Sequence, residues 1–303
     1  MADWLDELER QAGLRAKAGL TRALRHRGAG DGAVDLAGND YLGLARHPEV
    51  IGAAAGALAE YGLGATGSRL VRGSTDPHEG LERDLAAWLG AESALVYSSG
   101  YLANVGAVRA LAGPDTVIIS DAHNHASLID GCRLTRSRIV VTPHADVAAV
   151  EEALGRHAGA VVVTESVFSV DGDLAPLAEL HAAVRRHGAV LLVDDAHALG
   201  LLGPAGAGGV AGAGLAGQPE VVVTATLSKA VGASGGLIAG PAALTRHLVD
   251  TGRTFIFDTA LPPAVAAGAR AGVALARAAD DRRAEVVRRA AQAVRRLRGA
   301  GLE

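Results

Sequence analysis

A single cysteine, Cys132, stands in the 303 residues. That excludes an internal disulfide framework and a cysteine-based zinc finger, and it fits a reducing compartment. The N-terminus lacks an apolar signal core, because MADWLDELERQAGLRAK carries charge from residue 3 onward. No hydrophobic run makes a good membrane span: the uncharged stretch from Ala198 to Gly217 is broken by Pro204 and rich in glycine. The chain therefore reads as soluble and cytoplasmic. Positive charge is not in excess either. Lys and Arg total 29 against 33 Asp and Glu, for a net charge of −4, so no overall basic field holds nucleic acid or anionic membrane. With 49% apolar and 20% charged residues, disorder along the whole chain is excluded. The length suffices for one large α/β domain and a smaller piece.

Lysine is almost absent. It occurs at Lys17 and Lys229, and every other basic residue counted with it is arginine. Lys229 lies in an uncharged, glycine-rich stretch. An ammonium group there can lose its proton and become a nucleophile, which a guanidinium does not do.

What is present is glycine, 40 residues, about twice the usual share, and an alternation of two patterns. Residues 3 to about 27 have helical periodicity and read as an N-terminal arm. SALVY (93–97), TVIIS (116–120), RIVVT (138–142), AVVVTES (160–166), AVLLVDD (189–195) and EVVVTAT (220–226) have strand character. YLANVGAVRALA, ADVAAVEEALGRH and APLAELHAAVRRHG have helical spacing. Near-continuous Val/Ile/Leu strands separated by helices predict a mainly parallel sheet covered by helices on both faces. In such sheets functional groups gather at the carboxyl ends of the strands. From residue 270 the chain is helical and rich in alanine and arginine, with nine Arg against four Asp or Glu. It reads as a solvated helix face.

Two strings match G-x-G-x-x-G, at 62–67 and 212–217. Neither follows a strand and opens a helix, as dinucleotide binding requires. A better anion site is YSSGYLAN (97–104), where a strand ends, Ser98, Ser99 and Gly100 turn, and a helix begins near Tyr101. The serines could equally serve only as helix caps. VDDAH (193–197) ends another strand. Successive strand residues leave on opposite sides, so Asp194 and Asp195 cannot both face one site. Asp194 and His197 form either a functional D-x-x-H pair or a loop salt bridge. DAHNHAS (121–127) offers His123 and His125; an H-x-H pair without further ligand spacing is a weak metal signal, and no metal is expected. TESVFSVDGD (164–173) places Glu165 and Ser169 at a strand end. TATLSKAVGASGG (224–236) places Lys229 three residues after Thr226.

These five places share one explanation. An anion loop, a carboxylate for a ring nitrogen, an aromatic lid and a lysine for a carbonyl together suit pyridoxal phosphate. The strings NDYLGLA (39–45), GSRLVRGSTDPHEGLE (67–82), SSGYLAN, HASL (125–128), VFSVDGDLAPL (167–177), VDDAH and TLSKAVG resemble the α-oxoamine synthases, fold-type-I pyridoxal-phosphate enzymes, over nearly the whole chain.

The resemblance implies a fold-type-I transferase: a helical arm over 1–38, a large cofactor-binding domain over 39–275, and over 276–303 the start of a small C-terminal domain that is otherwise largely missing. It implies that Lys229 carries the cofactor covalently and Asp194 pairs with the pyridine nitrogen. His197 and Ser169 would bond the phenolic oxygen region, and His125 would stack on the ring and help position substrate. Ser99, Gly100, Tyr101 and Thr226 would hold the phosphate. Arg25, or its neighbours Arg22 or Arg27, would bind substrate. The family is homodimeric, and FIFDTALPP (255–263) resembles a segment by which the neighbouring subunit reaches the phosphate, with Thr259 the candidate. The GSRLVRG form resembles the members of biotin synthesis, which join L-alanine to a pimeloyl thioester carried by CoA or an acyl carrier protein, with loss of CO2. Members that use glycine and acetyl-CoA share every cofactor residue, and a non-catalytic cofactor-binding fragment is the further alternative.

Overall fold

The computed structural model describes residues 3–302 except Asp31. The chain divides into two compact units, residues 1–38 and 39–303. In the first, α1 (Trp4–Lys17) is capped by Asp3, whose carboxylate accepts the Leu5 N–H at 3.3 Å. Asp6 and Glu7 lie in its first turn and Arg15 and Lys17 in its last, in keeping with the helix dipole. The helical pattern expected to about residue 27 stops at Lys17. Gly19 takes φ +68° and its N–H turns back to the Ala16 carbonyl, a left-handed helix stop. Residues 20–28 carry no regular structure.

The second unit runs α2 (Pro48–Tyr61), a π-helical turn (Arg69–Gly73), α3 (Asp76–Leu89), β1 (Ser93–Tyr97), α4 (Gly100–Leu111), β2 (Val117–Asp121), α5 (Ala126–Arg133), β3 (Arg138–Thr142), α6 (Val147–Arg156) and β4 (Val161–Glu165). It continues with α7 (Leu177–Arg186), β5 (Val190–Asp194), α8 (Gly209–Gly212), β6 (Val221–Thr226), β7 (Gly236–Gly240), α9 (Ala242–Thr251), α10 (Arg253–Ile256), α11 (Pro263–Arg277) and α12 (Asp280–Gly299). The sheet order is β1-β7-β6-β5-β4-β2-β3. Within this sheet every strand pairing is parallel except those of β7, which is antiparallel to both neighbours. Strand β7 (GLIAG) is the one the sequence pattern does not announce. It is short and flanked by glycine, and it is buried because it lies between two other strands.

Strand periodicity sorts the core. Val162, Leu191, Val193, Val221 and Val223 pack on one face with α3, α6, α7 and α11. Val161, Val163, Leu192 and Val222 pack on the other with α4 and α5. Each fully buried Val or Leu is worth about 1.5–3 kcal/mol, so this double-sided pattern pins the register of every central strand. Extended by parity, Glu165, Asp194, Thr224 and Thr226 all leave the sheet on the α4/α5 face, at the carboxyl ends of β4, β5 and β6. Cys132 is buried in that layer, and burial pushes its thiol up to about 11. No helix among the described residues is long and apolar enough to cross a membrane.

Candidate active site

A cleft opens at the carboxyl ends of the central strands. Its lining includes Ser99, Gly100 and Tyr101, then His125, Asp194 and His197, and finally Thr226 and Lys229. Eight of the expected residues therefore meet in one place. The tertiary structure also brings Asn104, Ser127, Glu165 and Ser228 to the wall.

Lys229 Nζ lies 2.7 Å from His197 Nε2, and His197 Nδ1 lies 2.8 Å from the Tyr41 hydroxyl. That hydroxyl donates its one proton to Asn39 Oδ1 at 2.9 Å, so toward His197 it accepts. His197 then carries its proton on Nδ1, and its Nε2 lone pair accepts from the Lys229 amine. Burial, and then the positive charges of Lys229 and His125, lower His197 to about 4, which keeps it neutral near neutrality. Burial also lowers Lys229, against the opposing pull of Asp194 and Glu165. An amine with lowered affinity for its proton is the nucleophile and base that the scarcity of lysine suggests.

Asp194 lines the same cleft, 6% exposed. Its Oδ2 accepts from Asn104 Nδ2 at 2.7 Å and its Oδ1 from the Ala196 N–H at 3.0 Å. Burial pushes this carboxyl up, while Asn104, Ala196 and Lys229 pull it down. Of the two readings of D-x-x-H, the salt bridge does not form: His197 pairs with Lys229 and Tyr41 instead. Asp195 turns away and accepts the Gly209 N–H at 2.9 Å.

At the other end of the cleft Ser99 is the N-cap of α4, its hydroxyl accepting the Leu102 N–H at 3.2 Å. Capping and anion binding thus coexist, because the first-turn N–H groups of Gly100 and Tyr101 have no intrahelical acceptor. A Cβ on Gly100 would come within 3.1 Å of Thr226 Cβ, so glycine lets the helix start lie against the end of β6. Thr226 and Ser228 hydroxyls are 2.7 Å apart beside it.

Glu165 is the organiser the sequence left without a role. One oxygen accepts the His125 N–H at 2.7 Å and the other the Ser169 N–H at 3.2 Å. Burial, and then the Asp194 charge, raise it to about 7. His125 caps α5, with Nδ1 2.7 Å from Ser127 Oγ. Ser169 does not line the cleft but is tied to it through Glu165. Thr259 is exposed and outside the lining, and Arg25 lies exposed in the first unit. Arg69 of GSRLVRG is bound bidentate to Glu82 at 2.7 and 3.0 Å, so this arginine serves the frame of the fold. Tyr41 and Asn104 went unassigned from sequence. Signals were there: a tyrosine in the quoted NDYLGLA string, and an asparagine four residues after Gly100 on the same helix face.

The donor set suits pyridoxal phosphate. It brings together, in one cleft, a helix terminus with hydroxyls for a dianion, a buried carboxylate, a poised amine and two imidazoles. The aminotransferase class I and II family model matches residues 31–303. The chain belongs to that family. It is 58% identical to the 8-amino-7-oxononanoate synthase of Mycobacterium sp. (strain KMS) over 89% of this chain and 70% of that protein. Among solved structures, a serine palmitoyltransferase with pyridoxal phosphate is similar at 33% identity and TM-score 0.86, over 94% of this chain and 75% of that one. The 8-amino-7-oxononanoate synthase of Francisella tularensis is similar at 26% identity and TM-score 0.74, over 84% and 72%. The fold-type-I architecture expected from sequence is the one present.

Proposed function

We propose that this chain carries the active site of an 8-amino-7-oxononanoate synthase. The reaction joins L-alanine to a pimeloyl thioester and yields 8-amino-7-oxononanoate, CO2 and the free thiol of CoA or an acyl carrier protein. The observation that carries the reading is the Lys229 amine held by neutral His197 in one cleft with buried Asp194, in a chain 58% identical to such enzymes. Bound pyridoxal phosphate supplies an electron sink for the substrate Cα.

The chain's own residues do the rest. The Lys229 amine would hold the cofactor and would take and return the proton at the substrate Cα. His197 accepts a hydrogen bond from that amine and aims it. Asp194 would hold a proton on the ring nitrogen, with Asn104 and the Ala196 N–H offsetting the upward push of burial on its carboxyl. The Gly100 and Tyr101 N–H groups, Ser99 and Thr226 would hold the phosphate. His125 would lie over the ring, and Ser169 with His197 would serve the phenolic oxygen; Glu165 fixes the backbones of His125 and Ser169. Arg25 is proposed to bind substrate. A homodimer is proposed in which Thr259 reaches the neighbouring subunit's phosphate, in a cytoplasmic enzyme. Residues 276–303 are proposed to open the small domain of the family. In support, α12 exposes Val287, Val294 and Leu297 and buries only Arg283.

The test is kcat/KM for alanine or glycine, each with pimeloyl or acetyl thioester, alongside borohydride reduction of the cofactor-loaded chain and peptide mapping. Alanine with the pimeloyl thioester should be the best pair, and the label should fall on Lys229. Because one methyl group is worth about 1–3 kcal/mol in a pocket, the preference over glycine should be about 10- to 200-fold. Glycine with acetyl-CoA as the best pair would overturn the substrate assignment. Label on Lys17 would overturn the site.

A further inference from the structure

Outside the cleft, the rings of His123 and His144 stack with centroids 4.0 Å apart and planes 10° from parallel. His123 lies between β2 and α5, and His144 between β3 and α6. Asp171 and Asp173 come from the turn after β4. His123 Nδ1 is 2.7 Å from Asp171 Oδ2 and His144 Nε2 is 2.9 Å from Asp173 Oδ2. The third carboxylate, Asp121, is held in place: its oxygens accept the His123 N–H at 2.8 Å and the Ala145 N–H at 2.7 Å. Asp121 Oδ1 also lies 3.0 Å from His144 Nδ1.

Asp121 therefore fixes the proton of His144 on Nδ1 and turns Nε2 outward, toward a carboxylate. A bare nitrogen lone pair facing a carboxylate is repulsive, so a cation must sit between them, either a proton or a metal. His123 Nδ1 faces Asp171 as well, a contact that either its own proton or a metal satisfies. A carboxylate that orients an imidazole while its other nitrogen faces a cation is the usual outer partner of a histidine metal ligand. Ligand atoms of His123, His144 and Asp171 lie within 4.8 Å of one another. Bond lengths of about 2.0–2.2 Å to zinc place tetrahedral ligand atoms about 3.3 Å apart, a spacing that needs the half-exposed His123 and Asp171 side chains to turn toward His144 and out of the ring stack.

We propose that His123, His144 and Asp171 bind a divalent transition metal of the zinc class, with Asp173 or water completing the shell and Asp121 orienting His144. This revises the expectation of no metal, and it stands whether or not the cleft takes pyridoxal phosphate. The ion would tie the loop bearing His125 to the turn bearing Ser169.

The experiment is calorimetric titration of the metal-stripped chain with Zn2+ at pH 7.5, with anomalous diffraction at the zinc edge. One equivalent should bind at micromolar or lower Kd. His123→Ala and Asp171→Asn, both at exposed positions and checked for folding by far-ultraviolet dichroism, should each weaken binding at least tenfold. Asp121→Asn should weaken it about 10- to 100-fold. His197→Asn, in the cleft, should leave it unchanged. No stoichiometric binding would overturn the proposal. So would binding that survives His123→Ala and Asp171→Asn but is lost in His197→Asn, which would put the metal in the cleft.

Discussion

Replacing Asn104 by leucine tests how the buried carboxylate is kept charged. Asn104 is 3% exposed, and its amide makes three bonds. Nδ2 donates to Asp194 at 2.7 Å and to Ser127 Oγ at 2.8 Å, and Oδ1 accepts from Thr224 Oγ1 at 2.5 Å. Leucine has nearly the same volume, so the cavity contribution is small. Losing the bond to a charged acceptor costs about 1.5–3 kcal/mol, and leaving the fully buried Thr224 hydroxyl without its acceptor costs about 1–3 kcal/mol. The sum, about 2.5–6 kcal/mol, is a large share of a typical domain stability. At roughly 2 °C per kcal/mol for a chain of this size, Tm should fall by about 5–12 °C. Asp194, with one donor fewer, moves further up, so affinity for pyridoxal phosphate should fall about tenfold or more. Denaturant unfolding with and without cofactor measures both effects. Thr224→Val in a double-mutant cycle should show coupling of about 0.5–3 kcal/mol. A variant within 0.5 kcal/mol of the parent and with unchanged cofactor affinity would refute the reasoning.

Glu165→Gln should flatten the pH dependence of stability between about 4.5 and 7. There the folded chain keeps a proton on Glu165 that the unfolded chain has lost, so this group makes stability fall as pH rises. Denaturation midpoints at pH 5, 6, 7 and 8 read it, His197 contributing equally to both proteins. Parallel curves would count against the raised carboxyl. Tyr41→Phe should remove the acceptor that holds the His197 proton on Nδ1 and cost about 0.5–1.5 kcal/mol. Nitrogen NMR of His197 should show one tautomer in the parent and a mixture in the variant, and an Nε2–H tautomer in the parent would contradict the assigned direction. Asp194→Asn should keep a folded chain but lose most turnover, whereas Asp195→Asn, on the Gly209 side, should perturb the ring chemistry less. Equal turnover loss in both would break the distinction by strand face.

Much of this protein is determined locally. Runs such as VVVTE and VVVTAT cannot satisfy a solvated face, so they become strands buried on both sides. Period-two geometry then sends Asp194 and Asp195 apart whatever the rest of the chain does. The one lysine in a glycine-rich loop, and the turn that opens α4, are likewise legible before any folding. Other features depended on separations no local pattern encodes. Strand β7 is a strand because β1 and β6 flank it. The α1 pattern fades into charge, and only the left-handed Gly19 marks its end. Tyr41 meets His197 across 156 residues and Asn104 meets Asp194 across 90. Such contacts arise from where helices land on the sheet. So does Glu165: its carboxylate is read from sequence as a strand end, but the packing of α5 against that face makes it the acceptor for His125 and, through burial, raises its pKa. Residue types and strand parity set which groups could take part; only the tertiary packing decided which of them face one another.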